Sequence, residues 1–151
     1  MFSARWRSES GQVVIFLAVL LPVAVAFLGF ALDAGRQQLA RVQLQTAVDA
    51  ASLAGALTAR EVVLHDAFGR VYRRYLEMDK ATAEQAAYEC LVANVQKIPG
   101  AQLVEEHIEA NPGLRTVEVI ARVQIPAYFA GLVGRQRLEV RREATAVAEI
   151  R

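Results

Sequence analysis

The chain has 151 residues, enough for one domain, with 54% hydrophobic but only 7% aromatic residues and a net charge of +1. That charge gives no electrostatic case for a nucleic-acid partner. A single cysteine, Cys90, excludes an internal disulfide and leaves no second thiol for a CxxC or zinc motif.

The apolar excess is concentrated near the N-terminus. No charge occurs between Glu9 and Asp33, and from Val13 to Leu32 every residue is Ala, Val, Ile, Leu or Phe except Pro22 and Gly29. As a helix this run rises about 30 Å, the thickness of a bilayer's hydrocarbon core. Lipid offers no water to the backbone, so a spanning segment of this kind is helical. Residues 12–33 are therefore read as a transmembrane helix, with Val13, Phe16, Pro22, Gly29 and Leu32 inside it and residues 1–11 as a short tail. Pro22 removes one helical hydrogen bond and is expected to kink the span. A cleavable signal peptide is the competing reading. Arg5 and Arg7 form a positive n-region and Ala24-Val25-Ala26 an A-x-A pattern. The apolar run continues past that site through Phe27, Leu28, Phe30 and Leu32, which favours an uncleaved anchor. Arg5 and Arg7 on one side are matched by Arg36 and Arg41 on the other, so charge leaves the orientation nearly tied. The short N-terminal stub and the downstream bulk place the N-terminus in the cytoplasm and the domain outside.

Residues 34–64 are expected to continue the helix beyond the membrane, since residues 36–60 contain no proline and are rich in good helix formers. Ala40, Leu44, Ala47, Ala51, Ala54 and Thr58 recur at spacings of four and three, a seam of mostly small residues that lets another backbone approach closely. Its occupant is either the chain's own domain or a second helix in a homo- or hetero-oligomer. Gln38, Arg41, Gln45, Asp49 and Ser52 fall on the opposite face. Asp33, where the apolar block ends, is read as a boundary charge free to pair with Arg36, with a helix-to-helix contact as its functional alternative.

The remainder, residues 65–151, reads as an α+β domain of helices followed by antiparallel strands. Phe68, Val71, Tyr72, Tyr75 and Leu76 have helical spacing, with Asp66 as N-cap. A second helix starts near Thr82, where Thr82 and Gln85 have capping-box spacing, and ends before Pro99-Gly100. Cys90 is expected to pack in it as a small hydrophobe. After Gly100 the period changes to two. Residues 102–109 and Val117–Ile125 form a hairpin across Asn111-Pro112-Gly113, and Pro126 ends the second strand. Residues 127–134 form a short turn or helix carrying Tyr128, Phe129 and Leu132. Residues 136–150 form a last strand with Leu138, Val140, Ala144, Ala146 and Ala148 on one parity. The arginines and glutamates from Arg135 onward are read as a solvated strand face, with a binding patch as the alternative.

No phosphate-loop, dinucleotide, nucleophile-elbow or H-E-x-x-H motif occurs. Glu105-Glu106-His107 and His65-Asp66 lack a second histidine or cysteine nearby. The expectation is no catalytic residue, no metal site and no cofactor.

Several stretches together resemble the N-terminal segment of the TadG-like and TadE-like proteins of Tad (Flp) pilus assembly. They are Gly11-Gln12-Val13-Val14-Ile15-Phe16, Leu21-Pro22, Gly29, Ala31-Leu32-Asp33-Ala34-Gly35, and Leu44-Gln45-Thr46-Ala47-Val48-Asp49-Ala50-Ala51. Val123-Gln124-Ile125-Pro126-Ala127-Tyr128-Phe129, Gly134 and the Ala144–Ala148 strand look like the end of such domains. The resemblance implies a single-pass inner-membrane structural protein of a pilus used in adhesion and secretion, with the bilayer and other pilus-assembly proteins as partners. The residues expected to serve helix interaction in such an assembly are Asp33, Ala40, Leu44, Ala47, Asp49, Ala51 and Ala54. Members processed like pilins carry glutamate five residues after the cleavage glycine. Here that position, counted from Gly11, is Phe16, which favours a membrane-retained, TadG-like role. An exported module cut after Ala26 and a processed pilin-like minor subunit are the alternatives.

Overall fold

The computed structural model describes residues 6–134 and 136–149. Arg5, Arg135 and Arg151 lie outside the described residues, as do the side chains of Arg7 and Leu132. The architecture is mixed α+β: one long helix, then a small helix and antiparallel sheets. The element order is α1 (Trp6–Ala56), β1 (Arg60–His65), β2 (Val71–Glu77), α2 (Lys80–Val95), β3 (Gln102–Asn111), β4 (Thr116–Pro126), a 3-10 turn η1 (Ala130–Val133) and β5 (Arg137–Val147).

Helix α1 runs through Pro22 without a break in its assignment, and its two halves live in different surroundings. The apolar half is bare: only 6% of its most hydropathic window, with a mean hydropathy of 2.9, is buried. A core helix of a soluble protein would have that surface covered by its own chain. The half after Asp33 packs against α2, β4 and β5. Ala40, Leu44, Ala47, Val48 and Ala51 are buried there. The small-residue seam is thus the domain's own core face. The buried arc is wider than a seam because α2 flanks α1 on one side and the sheet on the other. It takes in Ser52, which was expected on the polar face and is 2% exposed, its hydroxyl donating to the Asp49 carbonyl at 3.0 Å. Ala54 is half-buried and Asp49 exposed, held by the Gln45 amide at 2.9 Å.

Helix α1 stops at Ala56, short of the expected 64. The Thr58 hydroxyl donates to the Gly55 carbonyl at 2.7 Å, and the chain turns into β1. The β-branched pair Val62-Val63 favours a strand there.

The largest correction concerns residues 65–77. No helix forms from Phe68 to Leu76; β1 and β2 make an antiparallel hairpin, with Val62 opposite Tyr75 and Glu61 opposite Leu76. Asp66 is not a helix cap. Its carboxylate closes the turn, accepting from the backbone N–H of Phe68 at 2.9 Å and of Arg70 at 2.8 Å. Phe68 lies in the turn and strand alternation sends Val71, Tyr72, Tyr75 and Leu76 to both faces, so no aromatic core face exists: Phe68 and Tyr72 are 82% and 79% exposed.

Helix α2 begins at Lys80, and its N-cap is Asp79 rather than Thr82. The Asp79 carboxylate accepts from the Thr82 backbone N–H at 2.8 Å and from its hydroxyl at 2.6 Å. Ala83, Ala87, Leu91 and Val95 form its buried stripe. Cys90 is half-buried beside the core.

The three-stranded sheet has the order β3-β4-β5, antiparallel throughout. Val117, Val119, Ala121, Val123 and Ile125 turn one face of β4 to the helices, all at most 3% exposed. Leu138, Val140, Ala144 and Ala146 stand opposite four of them on the same face. The other face is solvated and carries the Arg122–Glu105 pair at 3.1 Å. Ala148 is buried just past the end of β5.

Close approach of α1 to α2 and β4 depends on Gly55. A β-carbon there would lie 2.9 Å from both the Ala83 carbonyl oxygen and a Val117 methyl. Gly55→Ala is therefore expected to destabilise the domain by about 1–3 kcal/mol through overpacking, the opposite sign from an ordinary helical Gly→Ala change. Chemical denaturation of the detergent-solubilised protein measures it; unchanged or raised stability would refute the packing account.

The hydrogen bonds from Thr82 hold the Asp79 carboxyl below the usual carboxylate range. A depressed folded-state value contributes stability above the unfolded carboxylate pKa that is lost as pH falls through the folded one. Asp79→Ala should lower the melting temperature at neutral pH, and its difference from the parent should shrink towards strongly acidic pH. A pH-independent difference would count against the cap.

Candidate functional site at the end of the apolar helix

Asp33 closes the apolar run, yet it is 4% exposed. The cover comes from the far end of the sequence. Oδ1 accepts the backbone N–H of Tyr128 at 3.0 Å, while Oδ2 accepts those of Phe129 at 2.8 Å and Ala130 at 2.7 Å. These donors lie just before and at the start of η1, where N–H groups have no partner within the helical turn. An ionised carboxylate only accepts, so it can meet all three donors at once, and charge assistance favours the short distances.

The expected ion pair with Arg36 does not form among the described residues, because backbone donors fill the carboxylate. The Arg36 guanidinium instead donates to the Pro126 carbonyl at 3.2 Å and lies over the Tyr128 ring, 4.0 Å from its centroid. A second contact lies one turn earlier. Gly29 is buried against the Phe129 ring, and a β-carbon at residue 29 would overlap that ring. Gly29, Asp33 and Arg36, at helical spacings of four and three, therefore grip residues 126–130 from one face of α1. Gly134, in the left-handed region at φ 84°, closes η1 and returns the chain to β5.

Of the residues singled out in the sequence, Val13, Phe16, Pro22 and Leu32 lie on the bare half of α1. Ala40, Leu44, Ala47 and Ala51 lie in the core of the domain. Only Gly29 and Asp33 are brought together with another segment into a distinct local site. Tyr128, Phe129 and Arg36 complete it. Sequence reasoning assigned Tyr128 and Phe129 to a short turn and did not connect them to Asp33. The available signals were a glycine four residues before a lone aspartate and an apolar Ala127–Val133 stretch after Pro126.

The residues weighed for catalysis are on the surface. The His107 imidazole faces Glu109 at 3.7 Å with both side chains more than half exposed. Asp66 is engaged by Arg70 at 3.2 Å. No group of three metal-ligating side chains occurs among the described residues. An open cleft where α1, β1 and α2 meet is lined by Leu57, Arg60, Glu77, Asp79 and Thr82, and its carboxylate Asp79 is occupied in capping. The site at Asp33 is thus structural: it binds a segment of its own chain.

Asp33→Asn keeps the shape but turns an amide group towards N–H donors. The substitution is expected to speed hydrogen exchange at Tyr128, Phe129 and Ala130 while leaving helix content and the exchange of α2 unchanged. Unaltered protection of those three amides would show that the carboxylate does not hold the segment.

Comparison with known proteins found no match among curated proteins and none among solved structures. The Tad family model, described as putative Flp pilus-assembly TadE/G-like, matches residues 11–59. The matched stretch, which is similar to that family, comprises the bare apolar half of α1, Asp33, the domain-packing half and the turn that follows.

Proposed function

We propose that this protein is a single-pass inner-membrane structural component of Tad (Flp) pilus assembly, TadG-like in role. Its N-terminus lies in the cytoplasm and its α+β domain outside. The observation that carries the reading is the division of one 51-residue helix between a bare apolar half and a half that is the core of a folded domain. A bilayer supplies the cover that the chain does not. The match to a pilus-assembly family over that same helix supports the assignment. A helix shared between anchor and domain fixes the domain's position relative to the membrane, which suits a scaffold or docking part better than a tethered soluble module.

The seam of Ala40, Leu44, Ala47 and Ala51 is filled by the domain itself, so a pilus component that docks on this part of α1 meets its exposed surface instead. Leu39, Val42 and Leu53 lie there, each more than half exposed and at helical spacing. A structural role without catalysis fits the site at Asp33, whose ligand is the protein's own backbone.

A processed pilin-like subunit is the second reading. A bare apolar helix half could equally be covered by neighbouring subunits of a filament. Phe16, in place of a glutamate, is the feature that weighs against it.

A reporter fused after Arg151 should be active only outside the cytoplasm, and the chain should resist carbonate extraction with Met1–Gly11 largely retained by intact mass. A soluble product beginning at Phe27 would replace this reading with the exported module. A chain beginning at Gln12 would replace it with the processed subunit. Deletion of the gene should abolish surface pili; normal piliation would sink the assembly role.

A further inference from the structure

We propose that the segment Ala127–Val133 is a second membrane contact: a foot that rests in the interfacial layer of the bilayer and sets the domain's height and tilt. The proposal rests on the anchor reading of α1 given above. Its geometric basis is the depth of Phe129. The Phe129 ring packs on Gly29, which lies inside the apolar run, four residues before Asp33. Four helical residues rise about 6 Å. With Asp33 at the boundary, the ring sits at the level where headgroups give way to acyl chains. Tyr128, beside it, is 65% exposed. Between Val13 and Leu32 of α1 only Gly29 is buried, and the Phe129 ring is what covers it.

The chemistry of the segment suits that layer. Tyrosine and aromatic rings with a polar edge concentrate at membrane interfaces, where one end is apolar and the other wet. Arg36, lying over the Tyr128 ring, brings a cation to headgroup level. From Ala127 to Val133 the sequence has no charged residue and no side chain more polar than a tyrosine hydroxyl.

Irregular backbone is tolerated at such depth only where its polar groups are satisfied within the protein. Asp33 takes the N–H groups of Tyr128, Phe129 and Ala130. The Ala127 N–H donates to the Gln136 carbonyl at 3.1 Å, and that of Gly134 to the Gly131 carbonyl at 3.1 Å. The buried carboxylate therefore does for this loop what water would do for an ordinary surface turn. A purely internal latch would need only the grip of Asp33 and Gly29; it would not need a mostly exposed tyrosine beside the ring that packs on Gly29.

The test places one nitroxide label at a time on the full-length chain, in a Cys90→Ser background, reconstituted into phosphatidylethanolamine–phosphatidylglycerol vesicles. Labels go at Tyr128→Cys, at Leu114→Cys and at Val19→Cys. Leu114 is 67% exposed in the β3–β4 turn, at the opposite end of the sheet from Pro126. Val19 is 65% exposed in the middle of the apolar run. Leu114 and Val19 lie outside the Asp33 site; Tyr128→Cys keeps the backbone N–H that Asp33 accepts, and slow hydrogen exchange at Phe129 and Ala130 checks that the segment stays seated. The ratio of collision with oxygen to collision with a water-soluble nickel chelate should be severalfold higher at Tyr128 than at Leu114, and highest at Val19. A water-like ratio at Tyr128 with a lipid-like ratio at Val19 would overturn the foot and leave the anchor standing. A water-like ratio at Val19 would overturn both.

Discussion

A carboxylate at the end of an apolar helix has to find hydrogen-bond donors, and in this protein it finds them on the backbone of a loop almost a hundred residues away. The rest of the structure is arranged by that constraint. Because Asp33 accepts three N–H groups from residues 128–130, the turn after β4 is held against α1, and β5 must return from that fixed point. Because Gly29 has no side chain, the Phe129 ring closes against the helix one turn deeper. The carboxylate satisfies donors that would otherwise be orphaned, and the glycine admits the ring that excludes water from them.

The mechanical consequence is that the domain is not hung on a flexible linker. The second half of α1 is its central core element, with Leu44, Val48 and Ala51 fully enclosed, and the first half continues from it as the same helix. The same helix thus joins the apolar half directly to the β3-β4-β5 sheet. The β1-β2 hairpin is the contrasting part: a separate two-stranded sheet with exposed Phe68 and Tyr72. Isolated hairpins of that size are marginal in water, so its order depends on the turn bonds of Asp66 and on Leu76 at the edge of the core.

Much of this was legible without coordinates. The apolar block has a length and uniformity that permit few alternatives, and the period-two pattern of Val117–Ile125 admits one strand register, since a shift by one residue would expose every valine. Ala40, Leu44, Ala47 and Ala51 are buried and Ala54 and Thr58 half-buried, while their spacing left the occupant open: small residues are equally suited to a neighbouring helix of the same chain or of another.

The segment from Phe68 to Leu76 shows where local reasoning gives way. Five apolar residues at helical spacing also satisfy a short hairpin, and periodicity over nine residues cannot separate the two; the turn chemistry of Asp66 and the pairing of β1 with β2 decided it. Thr82 failed as a cap for a similar reason, since Asp79 three residues earlier offered the stronger acceptor and local spacing alone did not rank them. The sequence by itself determined the long apolar helix, the α+β class and the alternating core of the sheet, because each is a matter of local periodicity and composition. Only the tertiary structure decided the role of Asp33. Its donors are backbone N–H groups, which every residue but proline carries and which leave no mark in a sequence. Their availability to Asp33 arises only when ninety-five residues of chain have folded back to the same end of the helix.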